Sequence, residues 1–212
     1  IRQFLNGLDF PLFYLDFETI MPVVPIFQKT SPYQVIPFQY SLHVQKEPGG
    51  ELLHKAFLGD GKTDPRRELV ERLLVDTEGE GDILMYTSYE KTQLTGLAYT
   101  FPEYRKEILE RISRLKDMST PFAQRLYYSH KMKGSYSIKS VYPALVPEGE
   151  SYSNLEINNG GLASQAYEGI HFEEDPIRRE KVRQNLLAYC RLDTLAMVRI
   201  MDVLSRVSEE KR

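Results

Sequence analysis

Asp16 and Glu18 interrupt the run Leu12–Thr19, LFYLDFET, which is otherwise mainly aromatic and aliphatic and reads as a buried strand. Side chains alternate along a strand, so the two acids point the same way, with Cα atoms roughly 6.6 Å apart. Two like charges on one buried face repel and lose hydration unless something positive meets them, and a divalent cation would serve. A strand end whose acids reach water is the plainer alternative. Asp193 is a second acid out of place: it lies four residues after Tyr189 and four before Met197, on one face of a helical pattern. A buried arginine or a helix-end amide is the alternative partner, although Arg191, two positions away, does not face it. Glu90, in MYTSYEKTQL, follows a short apolar run at the start of a helix, where an acid also suits the helix terminus. One pair on a strand, one acid at a helix start and one on a long helix can converge on two metal ions. Oxygen-only ligands select Mg2+ or Mn2+ over zinc. Two such ions about 3.5–4 Å apart stabilise both the attacking and the leaving oxygen of a phosphodiester.

The elements that must hold these acids follow from pattern. Residues 35–46, VIPFQYSLHVQK, read as a second strand and Glu51–Leu58 as a third. The EPGG between them is turn chemistry, so the two pair as an antiparallel hairpin. Asp64-Pro65 opens a helix through Leu69, Val70, Leu73 and Leu74. Ile83–Thr87 is a short apolar strand, a helical pattern begins at Tyr89, and Pro102–Lys116 reads as an amphipathic helix with Ile108, Leu109, Ile112 and Leu115 on one stripe. Residues 117–175, with turn signals at GSYS and NNGG, read as loops and short helices over a sheet. Pro176–Arg206 is a long helical pattern whose buried face runs through Val182, Leu186, Tyr189, Cys190, Met197, Ile200 and Leu204. The order predicts an α/β domain, a mixed sheet with an antiparallel three-strand start and then parallel strands, flanked by helices. That is the element order of the ribonuclease-H-like fold.

The 212 residues, 42% hydrophobic and 27% charged, suit one globular domain over 1–212 and exclude a disordered or low-complexity chain. A single cysteine, Cys190, excludes an intrachain disulfide and points to a reducing, cytoplasmic compartment. No run is long and apolar enough for a membrane span. IRQFLNGLDF lacks an apolar h-region and an initiator Met, so the expectation is a domain taken from a longer chain, without a signal peptide. The net charge of −3 argues against a wholly basic coat protein for nucleic acid, and the charge is uneven. Residues 102–140 carry nine Lys/Arg against four acids, a net of +5, and residues 147–180 carry a net of −6.

Asp16-Phe17-Glu18-Thr19, Tyr86–Leu94 (YTSYEKTQL) and Tyr189–Asp193 (YCRLD) resemble the three motifs of the DnaQ-like (DEDD) 3′–5′ exonucleases, in the tyrosine form. Within that superfamily, GSYSIKSVYPALVP (134–147), with Tyr152, Leu155, Ile157 and Gly160, is similar to a bacterial domain-of-unknown-function family whose members often follow a RecB-like nuclease domain in a longer chain. The resemblance spans about residues 10–205. It implies a ribonuclease-H-like nuclease that hydrolyses single-stranded DNA or RNA from the 3′ end with two Mg2+ or Mn2+ ions. Asp16, Glu18 and Asp193 would then hold metal, Glu90 would support the site, and Tyr189 would orient the attacking water. The second motif departs from the usual pattern: Thr87 stands where Asn is usual and Glu90 where Asp is usual. A catalytically degenerate domain that binds nucleic acid or scaffolds a partner is the alternative reading.

With that resemblance the basic segment gains a use. Lys131, Lys133, Tyr136 and Lys139 are the expected nucleic-acid contacts, cations tracking phosphates and rings stacking on bases. Tyr127 and Tyr128 are expected to pack against the sheet, Ser135 or Ser137 to cap a helix, and Cys190 to be core. His43, His54, His130 and His171 show no metal-ligand spacing.

Overall fold

The computed structural model describes residues 1–209. Three antiparallel strands open the sheet: β1 (Leu12–Ile20), β2 (Ile36–Gln45) and β3 (Leu52–Leu58). β4 (Ile83–Met85) and β5 (Leu115–Asp117) then add in parallel, giving the spatial order β3-β2-β1-β4-β5. The helices are α1 (Arg2–Leu5), α2 (Arg66–Asp76), α3 (Tyr89–Thr100), α4 (Arg105–Ser113), α5 (Thr120–Ala123), α6 (Ile138–Leu145), α7 (Gly160–Phe172) and α8 (Pro176–Glu209). This mixed five-stranded sheet flanked by helices is a ribonuclease-H-like α/β arrangement, as the element order predicts. No helix among the described residues is long and apolar enough to cross a membrane.

β1 is central, and its two faces build different cores. Phe13, Leu15 and Phe17 join Leu69, Leu73, Leu94, Leu97 and Ile108 of α2, α3 and α4. On the other face, Leu12 and Tyr14 join a cluster with Val141 of α6 and Leu192, Ala196 and Ile200 of α8. Ile20 joins a second cluster on that face with Ala163 and Tyr167 of α7 and Leu186 and Tyr189 of α8. Asp16 and Glu18 sit between these two clusters by simple alternation, in the one stretch of the α8-facing row that is not apolar.

The α8 side of β2 is polar as well. A register shift between Glu18 and Thr19 offsets the β1–β2 pairing, and below it Gln39, Ser41, His43 and Gln45 are all buried. Each finds a hydrogen bond: Gln39 Nε2 donates to the Leu186 carbonyl at 2.9 Å, and Tyr14 Oη donates to Gln45 Oε1 at 3.3 Å. Ser41 and His43 meet Thr194 of α8 at 2.7 and 2.8 Å.

Two elements differ from expectation. The predicted helix Pro102–Lys116 ends at Ser113, Leu109 is exposed, and Leu115 belongs to β5. Leu115 pairs with Ile83, and the Arg114 guanidinium donates to the Thr77 carbonyl at 3.1 Å. A ladder against a buried strand outweighs one more turn of a charged helix. The second is α7, inside the segment read as loops and short helices. Gly160 and Gly161 mask its helical signal. The Asn159 side chain accepts from the Leu162 amide at 3.0 Å, and Ala163, Tyr167 and Ile170 bury the helix.

Candidate active site

The acids arrive from three directions. β1 supplies Asp16 and Glu18 from a strand paired on both edges. α8 crosses that face and brings Tyr189, Cys190 and Asp193 over them. α3 begins one residue after Ser88, which places Glu90 in its first turn. Glu18, Glu90 and Asp193 are 8%, 2% and 6% exposed, while Asp16 keeps partial contact with solvent. Asp16, Glu18 and Cys190 each bring a potential ligand atom within 4.8 Å of the others. The Cys190 thiol lies 3.5 Å from Asp16 Oδ2.

Crowding raises the proton affinity of the whole cluster. Burial, then the charges of Asp193, Glu18 and Glu90, push the Asp16 carboxyl well above the usual carboxylate range. Burial and Asp193 push Glu18 up to about 8, against the opposing pull of Lys139. Glu90 also rises to about 8, through burial first and then Asp117 and Asp193, although its own backbone amide favours the ionised form. Asp193 is raised by burial, while Tyr152, Lys139 and Tyr189 favour its ionised state. Buried Glu90 Oε2 has no hydrogen-bond partner in the protein. An oxygen of this kind is costly unless a ligand meets it.

One cation, on the exposed Lys139 of α6, reaches the cluster. Lys139 Nζ donates to Tyr189 Oη at 2.6 Å and to the Asn158 carbonyl at 3.5 Å. It also stands 4.9 Å from the centre of the Tyr189 ring and 5.4 Å from that of Tyr152. Tyr152 Oη donates to Asp193 Oδ1 at 2.6 Å. Burial and the neighbouring acids hold the Tyr189 phenol far above its ordinary value, so it stays protonated. Its oxygen accepts from Lys139, which directs its own O–H toward the acids.

The support beneath the site is polar and rigid. Thr194, next to Asp193, ties α8 to Ser41 and His43, and Ser41 in turn meets His54 Nε2 at 2.9 Å. Burial, His54 and nearby arginines hold His43 down to about 3, so it is neutral. At the α3 entrance Thr87 has φ +73°, an uncommon conformation for a β-branched residue. Its amide donates to Asp117 Oδ1 at 3.0 Å, which also accepts from the Ser119 amide at 2.8 Å.

Residues 13–137 match the model of a domain of unknown function, DUF2779. The chain belongs to the DUF2779 family. No curated protein and no solved structure matches it. The DUF2779 match takes in Asp16, Glu18 and Glu90 and stops short of Lys139, Tyr189 and Asp193. The family model therefore covers the strand and the α3 acid but not the helix that closes over them.

In this DUF2779 domain the fold gathers Asp16, Glu18, Glu90, Tyr189 and Asp193 at one place. Lys139, expected among the nucleic-acid contacts, is drawn into the acid cluster. Lys131, Lys133 and Tyr136 remain exposed. Tyr127 packs edge-on against Phe122, as expected, but Tyr128 is 58% exposed and does not pack. Ser137 occupies the residue before α6 without a side-chain cap. Sequence reasoning did not assign roles to Tyr152, Asp117 and Thr194. Tyr152 stands in the block that carries the family resemblance, and Asp117 opens the stretch 117–175 that reads as loops and short helices. Cys190 is core, as expected, yet it also touches Asp16.

Proposed function

We propose that this domain is a metal-dependent 3′–5′ exonuclease acting on single-stranded DNA or RNA. The observation that carries the reading is the convergence of buried acids from β1, α3 and α8, with Glu90 Oε2 left without a partner. The donor set is mainly carboxylate oxygen, which fits Mg2+ or Mn2+. Asp16, Glu18 and Asp193 would hold the metal, with Glu90 beside them. When bound, two such ions supply Lewis-acid stabilisation of the charge that develops on a phosphodiester undergoing hydrolysis.

The chain's own groups divide the remaining work. Tyr189, held protonated with its O–H turned to Asp193, would align an attacking water by accepting a hydrogen bond from it at the phenol oxygen, and is unsuited to be the base near neutral pH. Lys139 fixes the phenol by donating to its oxygen. Tyr152 fixes Asp193 in the same way. The apolar clusters that flank the acids of β1, with Tyr14 in one and Ile20 and Tyr189 in the other, would limit bulk water at the reacting phosphate.

One observation favours a second reading, a degenerate domain that binds nucleic acid without cutting it. Lys139 already brings a positive charge to the acids, and Thr87 and Glu90 depart from the usual motif. A 5′-labelled oligonucleotide incubated with Mn2+ decides between them. The exonuclease produces a ladder that shortens from the 3′ end and is absent with Asp16→Ala. No ladder, with no Mn2+ binding by calorimetry at millimolar metal, establishes the degenerate domain instead.

A further inference from the structure

Between Met118 and Pro147 the chain carries Arg125, Lys131, Lys133 and Lys139 and no Asp or Glu, in a protein with 30 acids. All four are exposed, and the Lys139 ammonium is engaged by Tyr189. This segment forms two adjoining cavities, each of about 410 Å³. Phe122, Arg125, Tyr128 and Met132 line one, Tyr86, Thr87 and Ile138 line the other, and Gly134–Tyr136 line both. Two residues that line the second cavity adjoin site residues along the chain: Thr87 is three residues before Glu90, and Ile138 immediately precedes Lys139.

The lining suits a polyanion with flat bases. Tyr136 and Tyr128 are 49% and 58% exposed, so both rings are open to a partner. The Tyr86 hydroxyl donates to the Tyr136 carbonyl at 2.8 Å, which fixes that loop without using the ring. Met132 is buried under the cleft and anchors the turn that carries Lys131 and Lys133. Each cavity is within the range that holds a small organic group.

We infer that the nucleotides on the 5′ side of the scissile bond run through this double cleft, one base against Tyr136 and the next against Tyr128, with phosphates near Arg125, Lys131 and Lys133. The inference rests on the exonuclease reading for the direction of the strand. Stacking on rings tolerates any base, so the cleft binds single strands without sequence preference. The left-handed backbone at Arg125, Lys133 and Gly134 marks tight turns on either side of Met132, so that Arg125, which lines the first cavity, and the exposed Lys131 and Lys133 belong to one compact segment.

The test measures binding and cutting separately. Fluorescence anisotropy in EDTA follows a short labelled oligomer of deoxythymidine, and one of uridine, on the wild type, Tyr128→Ala, Tyr136→Ala, Lys131→Glu and Tyr99→Ala. Tyr99 is a 71% exposed tyrosine on α3 outside the cleft. Tyr128→Ala and Tyr136→Ala are each expected to weaken binding about 5- to 150-fold, the range of one lost base stack. Lys131→Glu should reduce the slope of log affinity on log salt by about 0.7 or more, and Tyr99→Ala should bind as the wild type does. Equal affinity across the tyrosine variants, or no binding by the wild type, overturns the cleft. Cleavage with Mn2+ is run beside it. Variants that bind normally while the wild type cuts remove the cleft and leave the exonuclease reading standing. Variants that lose binding while the wild type never cuts leave the cleft standing and remove the exonuclease reading.

Discussion

Glu90→Gln tests the electrostatics of the site most directly. Glu90 releases its proton near its ordinary value of 4.5 in the unfolded chain and at about 8 in the folded one. Between those values the folded state binds more protons than the unfolded state, so stability falls as pH rises. At about pH 7 the folded chain has forgone some 2.5 pH units of ionisation, about 3 kcal/mol at 1.36 kcal/mol per unit. An amide of the same shape removes that cost and relieves Glu18, which Glu90 also raises. The amide nitrogen also has acid neighbours to donate to, in Asp117 or Asp193. In EDTA near neutral pH, Glu90→Gln should therefore be more stable than the wild type by about 3 kcal/mol, a rise in Tm of roughly 6–12 °C for a chain of this size. The gain should shrink to a few tenths of a kcal/mol by about pH 4.5 and vanish below it, where the wild-type carboxyl is protonated in both states. With saturating Mn2+ the order should reverse, because the wild type has more to gain by mass action. Thermal melts across that pH range, with and without metal, read all three outcomes. A Glu90→Gln curve parallel to the wild type in EDTA would falsify the account, since it requires that the orphaned carboxylate carry no cost.

Other substitutions separate chemistry from support. Asp16→Ala should abolish cleavage, and Tyr189→Phe should lower kcat toward the smaller end of the roughly 10²–10⁴-fold range for orienting and acid–base groups, with Mn2+ affinity nearly unchanged; full activity of Tyr189→Phe would leave the ring as packing alone. Thr87→Asn should stabilise the fold by about 1 kcal/mol in urea denaturation, because Asn tolerates the left-handed backbone that a β-branched residue resists; a loss of stability would show that the threonine side chain has a compensating role. Thr194→Val should cost about 1–3 kcal/mol by stripping Ser41 and His43 of a shared buried partner, and a neutral result would show that the two rearrange without it.

How much of the domain was legible in the chain itself depended on the range of the physics involved. The face shared by Asp16 and Glu18 follows from strand alternation, which no tertiary contact can alter without unpairing β1 from β2. Tyr189 and Asp193 follow in the same way from the helical repeat of α8, and the β2–β3 hairpin from its EPGG turn. These are local rules, and they placed four of the five candidate site residues on their elements and faces; the fifth, Glu90, was placed by the start of α3. The tertiary structure decided what those residues meet. Leu115–Asp117 became a strand because Ile83 was there to pair with it, and α7 formed despite two glycines because a capping asparagine and an apolar pocket received it. Lys139, though still exposed, turned its ammonium to the Tyr189 hydroxyl 2.6 Å away, and Tyr152 found Asp193 from 41 residues away. Partners so far apart in the chain leave no periodic trace in sequence. They are selected only when the sheet and α8 close together and buried polar atoms must find partners or, as at Glu90 Oε2, go without one.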